Sequence, residues 1–287
     1  MYFLLKIYLK QNKNECNKKL NRIFNLYSFN WLVDFEQGGE VLDKGAQTEL
    51  KQLHEHFRDS LLIDKYEAQI EYLQKRRFEK SQSETSEDTI VWNVFRTLNQ
   101  IERNLWIEDL FYKSFQEDFS HSNEKIEIKL WKKIHPPKSL QINEGKTDID
   151  IIIESDSFVW FIEAKYKSDI ILDTDHQTKR DELIRKIDVG TNYSRKKDFY
   201  FTLLILDKYN SPMGFRMANE YKGSVEKVKD LLPHRVELPS LKGISILYWK
   251  DIQSIFKTVY LYSKNKYERF IADQASYWLF DKIKDDN

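Results

Sequence analysis

An α/β fold with one central mixed β-sheet flanked by helices is the architecture this sequence predicts, on three observations. Five short runs rich in β-branched and aromatic residues read as strands, and stretches with helical periodicity stand among them. Two adjoining runs, residues 147–154 and 158–165, are apolar on both faces, as strands are when helices cover both sides of a sheet. The length of 287 residues and the 41% hydrophobic content allow one sizeable core with a smaller appendage.

Taken in chain order, residues 1–82 read as a helical N-terminal region. Helical patterning occurs around residues 17–27, 48–57 and 60–78, and Gly38-Gly39 and Gly45 separate the first two. The polar joint Ser81-Gln82-Ser83-Glu84-Thr85-Ser86 follows, and residues 83–250 form the expected core. Ser86 is placed to cap a long helix whose apolar positions Val91, Val94, Phe95, Leu98, Ile101 and Leu105 recur at helical spacing. Strands are expected at residues 125–131, 147–154, 158–165, 199–206 and 243–249, with a helix from Gln177 to about Ser194 between the third and fourth. Helix, three strands, helix, two strands implies one mixed sheet. Residues 251–287 add a C-terminal helical extension, with helices at 252–262 and 267–283.

Composition narrows the function. Lysine plus arginine balance aspartate plus glutamate at 46 each, so any nucleic-acid footprint must be local. Candidate basic patches are Lys75-Arg76-Arg77, Lys132-Lys133, Arg195-Lys196-Lys197 and residues 264–266, each also readable as an ordinary solvated face. Cys16 is the only cysteine, which excludes an intrachain disulfide framework and a thiolate zinc cluster and points to the cytoplasm. Lys6 and Lys10 interrupt the apolar start before a membrane span or signal core forms, so no membrane association is expected. His54 and His56 are two apart on a predicted helix and make a poor metal pair, and no glycine-rich phosphate loop or nucleophile elbow is present.

The chemistry is concentrated in the 147–165 hairpin. If a two-residue turn at Asp156-Ser157 closes the hairpin, Asp150 stands opposite Glu163 and Asp148 opposite Lys165; a four-residue turn keeps that register and a three-residue turn breaks it. Opposed residues share a face at roughly 4.5–5.5 Å between Cβ atoms, and two like charges there are destabilising. Two facing carboxylates therefore ask for a cation, and a hard divalent ion such as Mg²⁺ suits carboxylate oxygens. Ile149, Ile151, Ile153, Trp160 and Ile162 are expected on one face, and Ile152, Val159 and Phe161 on the other. The Glu-x-Lys triplet alone is weak, because Glu49, Glu127, Glu144 and Glu220 head the same triplet; only Glu163 follows an acid-bearing strand. The plainer alternative is an Asp148–Lys165 salt bridge with Asp150 and Glu163 hydrated at a sheet end.

This order of elements, with an acid thirteen residues ahead of Glu163-Ala164-Lys165, resembles the PD-(D/E)XK nuclease superfamily over roughly residues 83–249. The resemblance implies a restriction-endonuclease-like core and a metal-dependent nuclease that hydrolyses phosphodiesters, DNA before RNA, in host defence or mobile-element processing. It assigns Asp150 and Glu163 as metal-holding acids, with the backbone carbonyl of Ala164, and Lys165 as the catalytic lysine. Mg²⁺ or Mn²⁺ is the implied cofactor. Ile149 stands where many members carry proline, and Asp148 before it is a candidate second ligand. Some members add a glutamate near the start of the first core helix, and Glu87 matches it. Its position four residues before Val91 puts it on the expected sheet-facing side, although acids in a first helical turn also simply favour the helix dipole.

Gln177 and Arg180 precede Ile184 and Ile187 by seven residues each and are candidates to face the metal site or a substrate phosphate. Gly190 suits a close approach of that helix to the sheet. Most tryptophans have core periodicity, and Trp131 beside Lys132-Lys133 is the remaining candidate for base stacking. The N-terminal helices offer a surface for a homodimer or a partner subunit. The competing function is a catalytically idle nuclease-fold module that binds nucleic acid or a partner.

Overall fold

The computed structural model describes residues 61–67, 87–121, 124–140, 144–172 and 180–284. The expected helices at residues 17–27 and 48–57, His54, His56, Cys16, the Lys75-Arg76-Arg77 patch, the Ser86 cap and Gln177 lie outside the described residues.

The first described helix, α1, spans Glu87–Asn99, and a 3₁₀ turn at Arg103–Leu105 separates it from α2, Ile107–Phe115. The single long helix expected from Val91 to Leu105 is thus broken. The last turn of α1 tightens, with Gln100 N–H on Thr97 O at 3.0 Å and Ile101 N–H on Leu98 O at 3.2 Å. Glu268, from a later helix, then takes the Glu102 N–H at 2.9 Å.

Three strands follow: β1 at Glu127–Ile134, β2 at Thr147–Glu154 and β3 at Phe158–Ala164. Helix α3, Glu182–Ser194, leads to β4, Asp198–Ile205; α4, Pro212–Lys222, and α5, Val225–Asp230, lead to β5, Leu241–Tyr248. Helices α6, Trp249–Tyr262, and α7, Lys266–Ile283, complete the described residues. The strands form one sheet in the order β1-β2-β3-β4-β5. The first three run antiparallel to one another, whereas β3/β4 and β4/β5 are parallel, as helical crossovers between them require. The fold is therefore α/β with a five-stranded mixed sheet.

Two cores sandwich this sheet. One packs α1, α2, α6 and α7 against Ile151, Ile153, Trp160, Ile162 and Leu204. The other packs Leu183, Ile184 and Ile187 of α3, with residues of α4 and α5, against Ile152, Val159, Phe161 and Leu203. Gly190 brings α3 onto β4, since a methyl group there would overlap the Phe199 ring. No helix among the described residues is long and apolar enough to cross a membrane.

Three further expectations are corrected. Residues 61–67, expected to be helical, form turns: Asp64 has φ 52°, Leu62 N–H bonds Asn93 Oδ1 at 2.7 Å, and Trp92 Nε1 bonds Ile63 O at 2.9 Å. Arg96 pins Asp64 at 2.6 Å, so the segment is strapped to α1 and cannot wind on itself. Ile149 belongs to the α3 side of the sheet, opposite to Ile151. Pairing of β1 with β2 is interrupted between Leu130–Ile151 and Lys132–Ile149, where Trp131 takes a positive φ of 51°, and the alternation of faces changes across Asp150. Trp131 itself is buried and stacks on Trp92 at 5.7 Å between ring centroids, so it is a core residue and not a base-stacking platform.

Candidate active site

The β2–β3 hairpin closes through a two-residue turn at Asp156-Ser157, with Ser155 N–H on Phe158 O at 3.0 Å and pairing from Glu154–Val159 to Ile151–Ile162. The ladder stops one step short of Asp150 and Glu163. At that step Asp150 Oδ2 accepts the backbone N–H of Ala164 at 3.1 Å, so a side chain replaces the next rung of the ladder. Strand β3 continues on its other edge beside β4, where Glu163 is level with Leu203. The acids thus arrive at a point where β2 and β3 part.

Lys165 follows directly. Its N–H bonds Leu204 O at 2.8 Å and its carbonyl accepts Trp249 Nε1 at 3.0 Å, which clamps the backbone between β4 and the start of α6. Its ammonium reaches Glu163 Oε1 at 2.8 Å and Glu182 Oε1 at 3.2 Å. Glu87, the first residue of α1, accepts Tyr166 N–H at 3.0 Å and Ser168 Oγ–H at 2.7 Å, which ties that helix end to the chain just past Lys165.

Two members escaped the sequence reading. Glu182 and Lys186 lie one turn apart on α3, paired at 3.3 Å, and Lys186 also donates to Glu163 Oε2. Glu163 is 1% exposed and carries an ammonium on each carboxylate oxygen. Asp181 caps α3 by accepting Leu183 N–H at 2.9 Å and Ile184 N–H at 3.0 Å, and this cap sets the helix phase that aims residues 182 and 186 at β3. The Asp181-Glu182-Leu183 run, an N-cap residue followed by an acid and an apolar residue, was the available signal.

The electrostatics form one system. Burial disfavours a charged Lys165, but Glu163, Glu182, Glu87 and Asp150 outweigh it and hold the ammonium's pKa above the ordinary lysine value. Lys186 behaves alike: burial opposes its charge, and Glu163, Asp150 and Glu182 overcome that and raise its pKa.

Of the sequence-predicted residues, Asp150, Glu163, Ala164, Lys165 and Glu87 come together here. Asp148 does not face Lys165, because the β2–β3 ladder has ended; it stands opposite Lys133 on β1. Arg180 precedes α3, where its guanidinium bonds Asp188 at 2.7 Å and Glu144 at 3.4 Å. Of the competing triplets, Glu127 pairs with Lys129 at 2.9 Å, Glu144 with Arg180, and Glu220 with Lys227 at 2.9 Å; Glu49 lies outside the described residues. Among the described residues no group of three or more His, Cys, Asp or Glu side chains is arranged to hold a metal ion. The oxygens of Glu163 are instead met by the two lysines. Searches against protein-family models, curated proteins and solved structures find no match to this chain.

Proposed function

We propose that the chain is a metal-dependent nuclease with a restriction-endonuclease-like core, hydrolysing phosphodiesters in DNA. The observation that carries this reading is the convergence of Asp150, Glu163, Lys165 and Glu87, from β2, β3 and α1, at the point where two strands part. Carboxylate oxygens are the donors a hard ion takes, and the cluster holds four carboxylates against two ammoniums. In donor type and charge these residues fit Mg²⁺ or Mn²⁺.

In this reading Asp150, Glu163 and the Ala164 carbonyl would hold the ion, with Glu87 as the further carboxylate at hand. When bound, the ion acidifies an attacking water and stabilises charge on the scissile phosphate. The Lys165 ammonium orients that water or neutralises charge developing on the phosphorane. Asp150 also keeps the Ala164 backbone in place through its N–H contact. Glu163 must loosen at least one of its lysine contacts, and Glu182 is placed to retain Lys165 when it does so.

Plasmid and linear DNA incubated with Mg²⁺, Mn²⁺ or EDTA test the reading. Cleavage with metal and none with EDTA is the expected result. One observation favours the second reading, an idle nuclease-fold module that binds nucleic acid or a partner subunit: both Glu163 oxygens are neutralised by lysines. A gel shift in Ca²⁺ with no cleavage under any metal supports that module and removes the nuclease.

A further inference from the structure

Lys186 is a buried ammonium on the floor of the proposed site with no role in the reaction as described. Its side chain is 7% exposed, and it contacts Glu163 Oε2 together with Glu182 Oε1 at 3.3 Å. Lys165 occupies the other oxygen of Glu163 and also touches Glu182 Oε1, so the two lysines bracket the same pair of carboxylates. Four carboxylates surround Lys165: Glu163 and Glu182 touch its ammonium, and Asp150 and Glu87 accept the backbone N–H groups of its two chain neighbours, Ala164 and Tyr166. Set against two lysines, they leave an excess of two negative charges. One divalent ion neutralises that excess, and a second would leave two positive charges in a largely buried cluster, which is costly.

We propose that Lys186 takes the place of a second cation, so that the site accepts one divalent ion and not two. The inference rests on the metal-dependent reading above and deepens it. Lys165 is the mobile partner in this arrangement: it lies at the end of β3, slightly more exposed than Lys186, and Glu182 receives it when Glu163 turns to the ion. Lys186 stays on Oε2 of Glu163 and leaves Oε1 for the ion. It is a positioning residue, acting on the metal through Glu163.

The test is the number of Mn²⁺ ions bound per chain in the full protein without nucleic acid, counted by equilibrium dialysis with electron paramagnetic resonance of the free ion. The expected counts are one for wild type, one for Lys186→Arg, which keeps the charge, and two for Lys186→Met, which keeps the bulk and removes it. Circular dichroism establishes that each variant is folded, and the wild-type count stands even where Lys186→Met does not fold. Two ions on wild type, or one on folded Lys186→Met, overturns the role of Lys186 while leaving a metal-dependent site intact. No ion on any of the three proteins overturns the metal-dependent reading itself and this inference with it.

Discussion

Asp150 accepts the Ala164 N–H at 3.1 Å and so joins β2 to β3 where their ladder has already ended. The same carboxylate that is assigned to the ion therefore also holds strand geometry. An amide keeps an acceptor oxygen for that N–H, whereas a methyl does not. Asp150→Asn keeps that acceptor but removes a charge that supports both buried lysines, so it should abolish cleavage and lose less stability than Asp150→Ala. Asp150→Ala should abolish cleavage and also lose about 1–2 kcal/mol, the cost of an unpaired buried donor, read from urea unfolding.

Glu163 accepts hydrogen bonds from both lysines, one on each carboxylate oxygen, and Glu182 adds an ion-pair contact to each. A glutamine offers one acceptor where two charged donors now bond. Breaking one member out of a buried ion cluster typically costs roughly 3–5 kcal/mol, so Glu163→Gln should lower the urea midpoint strongly at unchanged slope. A loss under about 1 kcal/mol would mean the lysines are solvated and the cluster is open.

Lys165 has a different signature. Its removal leaves Lys186 on Glu163, so the cluster keeps a counter-charge. Lys165→Ala should lose turnover while still binding Mn²⁺, measured by single-turnover DNA cleavage beside calorimetric titration of the metal. Undiminished cleavage refutes its assignment.

Gly190 has a packing role that separates fold from chemistry. A Cβ there meets the Phe199 ring, which is 0% exposed and has little room to retreat. Gly190→Ala should cost about 1–3 kcal/mol in chemical denaturation through overpacking, with residual folded protein retaining its metal dependence.

The hairpin turn carries an acid-sensitive clamp. The Ser155 and Ser157 hydroxyls, the Ser157 N–H and His121 hold the Glu124 carboxyl down at about 2, from an ordinary 4.5, against a modest opposing effect of burial. A lowered folded-state pKa contributes stability that is complete above the unfolded value and is lost as pH falls toward the folded one. Wild type should therefore weaken between pH 4.5 and about 2. Glu124→Gln should show a shallower acid slope in denaturation series across that window. The group is partly exposed, so the difference is small.

Much of this was legible from residue order. The Asp156-Ser157 turn leaves one register open to two apolar runs, and the structure has that register from Glu154–Val159 to Ile151–Ile162. Two-sided burial of the same runs announced helices on both faces, because a strand with no polar face cannot meet water. What failed was local and had tertiary causes. Trp131 adopts its positive φ while stacking on Trp92 from a distant helix, so the face change at Ile149 has no signature in β2 itself. The true start of α3 depends on Asp181 as cap; a helix begun at Gln177 instead puts Arg180 in the site and hides Glu182 and Lys186. Residues 61–67 have helix-compatible composition but spend their backbone groups on α1.

The claim on which the rest depends is that the Asp150–Glu163 cluster is a divalent-ion centre. A crystal grown with Mn²⁺ and measured for anomalous scattering tests it most directly. The account predicts a peak bound by the carboxylates of Asp150 and Glu163, with Lys186 still on Glu163. Density in which Lys165 and Lys186 keep both Glu163 oxygens, and Mn²⁺ is absent from the cluster at saturating concentration, would contradict it.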